Sequence, residues 1–179
     1  MASVRAPRVE EQQRGYAQTR ELFVASGSGT PQSSGPVSGP VQRKEDVNAL
    51  IERARGWAAR RPYVRGLALV GSWARDDANQ ESDVDLVLLA DQPGAYLSDE
   101  AWIDELGASS VVRTRSWGAL TERRLALPSE LEIDVGVAVV SWAATAPVDA
   151  GTRQVVTDGI RVVFDLDGVL AELIAAIRR

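Results

Sequence analysis

The side chains best suited to chemistry in this chain are acidic, and their spacing is regular. Ser82-Asp83-Val84-Asp85-Leu86 opens an apolar run that reaches Ala90. Side chains alternate along a strand, so Asp83 and Asp85 share one face with their Cα atoms about 7 Å apart. Two carboxylates so placed repel each other unless a cation lies between them. Ten residues separate Asp83 from Gly71-Ser72, which closes an earlier apolar run. A glycine there lets backbone approach a ligand, and a serine at the start of a helix offers hydroxyl and amide to a phosphate. Downstream, Leu131-Glu132-Ile133-Asp134-Val135 repeats the alternation, with Glu132 and Asp134 on one face and Gly136 leaving room beside them. Oxygen donors of this kind suit hard cations such as magnesium, and substrates that carry phosphate.

Composition removes most other chemistries. The 179 residues include no histidine and no cysteine, which excludes Ser-His-Asp and Cys-His nucleophile systems, zinc fingers, redox CxxC pairs and His-ligated metals. Lys44 is the sole lysine, so neither a P-loop GK[ST] nor a well-placed Schiff-base lysine is available. Acidic side chains outnumber basic ones 25 to 20, a net charge of −5, and nucleic acid is not favoured as a partner. No apolar run approaches the ~20 residues of a membrane span. The N-terminus lacks the apolar stretch of an export signal, which makes the cytoplasm the expected compartment.

The elements that must position these acids are readable from periodicity. Residues 1–42, with the Gly/Ser/Pro-rich stretch Ser26 to Pro40, are expected to form a disordered tail and linker, because such a composition buries too little apolar surface to offset ordering entropy. The domain is expected over residues 43–179. Val47, Leu50, Ile51, Ala54, Trp57 and Ala58 recur at helical spacing up to Pro62. Strands are expected at Gly66 to Val70, Asp83 to Ala90, Val111 to Trp117, Ala119 to Leu127, Leu131 to Val140 and Ile160 to Phe164. Asp91-Gln92-Pro93-Gly94 reads as a breaker, and a helix carrying Trp102, Ile103 and Leu106 follows, closed by Gly107. Weaker helical patterns cover Gly151 to Thr157 and Val169 to Ile177. The sum is one α/β domain, a mixed, twisted β-sheet flanked by helices and preceded by the tail.

Gly71-Ser72, a ten-residue spacer and Asp83-Val84-Asp85-Leu86 resemble the DNA polymerase β-like nucleotidyltransferase superfamily. GSWAR…SDVDLV is most similar to its bacterial small-substrate branch, which includes aminoglycoside adenylyltransferases. The resemblance covers roughly Val47 to Val140. It implies transfer of a nucleoside monophosphate from a nucleoside triphosphate co-substrate to an acceptor hydroxyl, a small molecule being favoured over a protein. Asp83, Asp85 and Asp134 would be catalytic and hold two magnesium (or manganese) ions, with Glu132 the rival for the third place. Gly71, Ser72 and Arg75 would bind the triphosphate. Members of that branch carry a helical domain after the third carboxylate, where this chain has 45 residues, so a second subunit of a homodimer is one way to complete the acceptor site. A partner-modifying or non-catalytic module, such as a toxin–antitoxin component, is the alternative.

Two further features need a reading. Arg113 and Arg115 share a strand face, and Arg123-Arg124 follow on the next strand; they form either a basic rim beside the acids or the alternation of a solvated sheet. Val162 to Ala171 (VVFDLDGVLA) resembles the first motif of haloacid dehalogenase-like phosphatases, with Asp165 and Asp167 as the two aspartates. No lysine and no further acidic pair follow it, so a strand turning into a helix is the expected explanation of these residues.

Overall fold

The computed structural model describes residues 39–129 and 131–179. Most of the expected tail, residues 1–38, lies outside them. The first helix, α1, runs Pro40–Ala59 and so begins inside the stretch read as linker. Proline at the first helical position has φ already set and lacks only an amide that would have had no partner there. Val47, Leu50, Ala54, Trp57 and Ala58 are buried along one stripe of the helix.

Six strands follow: β1 Val64–Val70, β2 Val84–Ala90, β3 Ser110–Trp117, β4 Leu120–Ala126, β5 Glu132–Val139 and β6 Ile160–Asp165. They form one sheet in the order β3-β4-β5-β2-β1-β6. The β2–β5 pair is parallel and the rest are antiparallel, so the sheet is mixed as expected. Between strands lie α2 Gly71–Ala74, α3 Pro93–Ser98, α4 Ala101–Glu105, a 3-10 turn Val140–Ala143 and α5 Ala150–Asp158, with α6 Val169–Arg178 last. The helix α3 departs from the sequence reading. Pro93, taken as a breaker, is instead the first residue of a helical turn, the position where proline is tolerated.

Strand alternation sorts the core into two layers. Leu67, Leu69, Val84, Leu86, Leu88, Ile133, Val135 and Val137 face α1, α3 and α4, where Trp57, Tyr96 and Trp102 meet ring to ring. Ala68, Val70, Val87, Leu89 and Ala138 face Trp142, Val156, Leu170 and Leu173 on the other side. Asp85 and Asp134 belong by register to this second face, at the end where β2 and β5 begin.

Arg123 and Arg124 point to opposite faces. Arg123 is buried in the first layer, where it donates to the carbonyls of Tyr96 (3.0 Å) and Asp99 (3.2 Å) and to Glu100 (2.5 Å). It ties β4 to the α3–α4 connection and takes no part in a basic rim.

Candidate active site

Three backbone pairings assemble the site. Val70 at the end of β1 lies opposite Asp85 near the start of β2. Asp85 lies opposite Asp134 across the parallel pair, and Asp134 lies opposite Arg124 across the β4–β5 hairpin. Adjacent strands are about 4.8 Å apart, which brings these side chains within reach of one another.

The Gly71-Ser72 turn sits against Asp85. Gly71 has φ +71°, and a Cβ there would lie 2.6 Å from Asp85 Oδ2. Only glycine gives the carboxylate this room while holding left-handed backbone. Ser72 is buried, and its carbonyl accepts from the amides of Arg75 (3.2 Å) and Asp77 (3.0 Å). Arg75 reaches toward α5: its Nη1 donates to the Asp158 carbonyl, and its aliphatic stem lies over Gly159. There it interacts with a carbonyl at the negative end of that helix.

Asp83 precedes β2 and joins the acids of β5 through Arg124. Arg124 Nε and Nη2 donate to the two oxygens of Asp134 at 2.8 and 2.5 Å. Its Nη1 donates to Glu132 at 2.9 Å, and Nη2 also donates to Asp83 at 2.8 Å. Glu132 and Asp134, rivals for one role in the sequence, are thus both held by a single guanidinium. Hydrogen bonding to Asp134 raises the pKa of Arg124 above the ordinary value, against its partial burial, so it stays charged. Burial pushes the Asp83 carboxyl up; Arg124 opposes this, while the negative charges of Asp134 and Glu132 add to it.

The two arginines of β3 are committed as well. Arg113 pairs with the buried Glu122 at 2.9 Å, and Glu122 also accepts from Trp117 Nε1 at 3.1 Å. Arg115 stacks over Trp117 with 4.3 Å to the ring centroid. Trp73 packs against the first core layer and donates to the Ser82 carbonyl at 3.3 Å. Asp165 accepts from the Leu170 and Ala171 amides at 3.3 and 3.0 Å, and Asp167 pairs with Arg65 at 2.9 Å. The DLDG segment is therefore the turn from β6 into α6, as turn chemistry predicted.

Asp83, Asp85, Glu132 and Asp134 gather carboxylate oxygens here, of the type a hard cation takes. Among the described residues, however, no group of three or more acidic side chains stands arranged around a position for a metal ion. Arg124 donates to one oxygen each of Asp83 and Glu132 and to both oxygens of Asp134. Arg124, read from the sequence as part of a basic rim beside the acids, is instead paired with three of them.

Residues 51–124 match the family described as nucleotidyltransferase domain. The match spans Gly71, Ser72, Asp83 and Asp85 and ends at Arg124, ten residues before Asp134. It supports the polymerase β-like resemblance and does not single out the bacterial small-substrate branch. Among solved structures the chain is similar to the Cid1 poly(U) polymerase crystal structure, at 19% identity and a TM-score of 0.39, over 52% of this chain and 30% of that one. No curated protein matches.

Proposed function

We propose that this domain transfers a nucleoside monophosphate from a nucleoside triphosphate to an acceptor hydroxyl. The observation that carries the reading is the register that sets Asp85 beside Gly71 on one side and opposite Asp134 on the other. The nucleotidyltransferase match over residues 51–124 supports it. The acceptor oxygen attacks the α-phosphorus, the bond to the β-phosphate bridging oxygen breaks, and pyrophosphate leaves with that electron pair. Asp134 receives the hydroxyl proton. The Gly71-Ser72 turn orients the triphosphate, and Arg75 would join it by leaving the Asp158 carbonyl. Asp83, Asp85 and Asp134 would hold magnesium or manganese, which when bound offsets negative charge on the phosphates and activates the acceptor oxygen. We favour a small-molecule acceptor and a cytoplasmic setting; among the described residues no helix is long and apolar enough to cross a membrane.

One observation favours a second reading. A guanidinium clamped between three carboxylates is also what an idle site would hold, so a partner-binding module of the toxin–antitoxin kind stays the alternative. Incubating the chain with magnesium, each α-labelled triphosphate, and panels of hydroxyl compounds and cell-extract proteins separates the two. Transfer that disappears in folded Asp85→Asn supports the enzyme. Absence of transfer to every acceptor, with a stable protein complex recovered from the extract, supports the module.

A further inference from the structure

The clamp around Arg124 is too well organised to be an incidental surface pairing. The guanidinium uses Nε, Nη1 and Nη2 on three carboxylates from two segments, Asp83 before β2 and Glu132 and Asp134 on β5. Its side chain is 17% exposed and that of Asp134 only 12%. A planar fork meeting a carboxylate with two parallel bonds is the strongest form such a pair takes. The backbone of Arg124 is locked opposite Asp134 by the β4–β5 ladder, so only the side chain can leave.

We propose that Arg124 is the resident counter-ion of this centre, and that a divalent cation gains Asp83 and Asp134 only by displacing its guanidinium. Arg124 is a positioning residue in this scheme: it holds the acids together when no cation is bound and competes with the cation for the same oxygens. The proposal rests on the nucleotidyl-transfer reading for its relevance to turnover, but the competition itself is a property of the side chains.

Arg124→Lys separates this from simple electrostatics, because lysine keeps the charge and loses the fork. The experiment titrates manganese alone into the full-length chain, without triphosphate, by calorimetry and by loss of the free-ion resonance signal. Displacement of a fork predicts that Arg124→Lys binds manganese roughly tenfold tighter than wild type, or more. A charge effect alone predicts no change, and a folded Arg124→Lys that binds no tighter overturns the proposal. If circular dichroism shows that variant unfolded, Glu132→Gln decides. It takes one partner from Arg124 and leaves Asp83, Asp85 and Asp134 in place. Tighter manganese binding despite the lost negative charge supports displacement, whereas equal or weaker binding refutes it. Because label transfer is not the readout, failure of the transferase reading would leave this result standing, and the reverse also holds.

Discussion

Replacing Gly71 with alanine tests the junction on which the site depends. Its backbone has φ +71°, and a methyl group would lie 2.6 Å from Asp85 Oδ2. Left-handed backbone costs a non-glycine residue about 1–2 kcal/mol. The obstructing atom ends a side chain, so Asp85 can turn away instead of forcing the strands apart, at a cost of about 0.5–1.5 kcal/mol for an off-rotamer torsion. Together these give roughly 2–3 kcal/mol, or a melting temperature lower by about 6–12 °C for a domain of this size. Thermal and denaturant unfolding would measure it, with Gly94→Ala as the control. In α3 a methyl on Gly94 meets nothing within 4 Å, and helix propensity alone should raise stability there by about 0.5–1 kcal/mol. The two changes, identical in chemistry, are therefore expected to have opposite signs. Folded Gly71→Ala should also bind manganese more weakly, since Asp85 has been displaced. Stability within about 0.5 kcal/mol of wild type would refute the wedge of Gly71 against Asp85.

Three other changes probe the charges. Asp134→Asn should destabilise by roughly 2 kcal/mol, less than the ~3–5 of a fully buried broken pair because Glu132 and Asp83 still hold Arg124; denaturant unfolding that shows a gain would refute the clamp. Asp83→Asn should act differently with pH. Burial raises the folded carboxyl above the ordinary value of 3.8, so ionising it costs native stability as pH rises through that raised value, and the amide removes this cost. The variant should melt at or above wild type at pH 7, with the difference closing as pH falls toward 3.8; a large deficit at pH 7 would count against the burial argument. Asp165→Ala removes the acceptor for two amides at the start of α6 and should cost about 1 kcal/mol with manganese binding unchanged, measured by melting and calorimetry.

Strands β1, β2 and β6 were legible as short, mostly apolar runs bounded by turn residues, and alternation alone divided Leu86 and Leu88 from Val87 and Leu89. The acids were legible for the same reason: Asp83 and Asp85 flank Val84, whose burial in the first core layer aims Asp85 at the other face. The third acid was visible only as an ambiguity, since Glu132 and Asp134 share a face and nothing local ranks them. Helix α3 escaped because Pro-Gly is compatible with both a turn and the first residues of a helix. Arg75 was placed near phosphate by its distance from Ser72 alone, and sequence spacing carries no information that α5 ends beside it.

Arg124 shows where sequence reading stops and what lies past it. Residues 123 and 124 are chemically identical neighbours, yet one is buried against Tyr96 and the other grips Asp134. Which arginine does which is decided by the register of the β4–β5 hairpin. Ser129 lies five residues after Arg124 and five before Asp134, so a turn centred there sets them opposite each other. The apolar pair Leu125 and Ile133, both buried, pins that register from the other face. A slip of one residue would exchange the faces of the two arginines and would also carry Leu125 out of the core. The charge at the carboxylate centre is thus set by a register that hydrophobic packing on the opposite side of the sheet helps to hold.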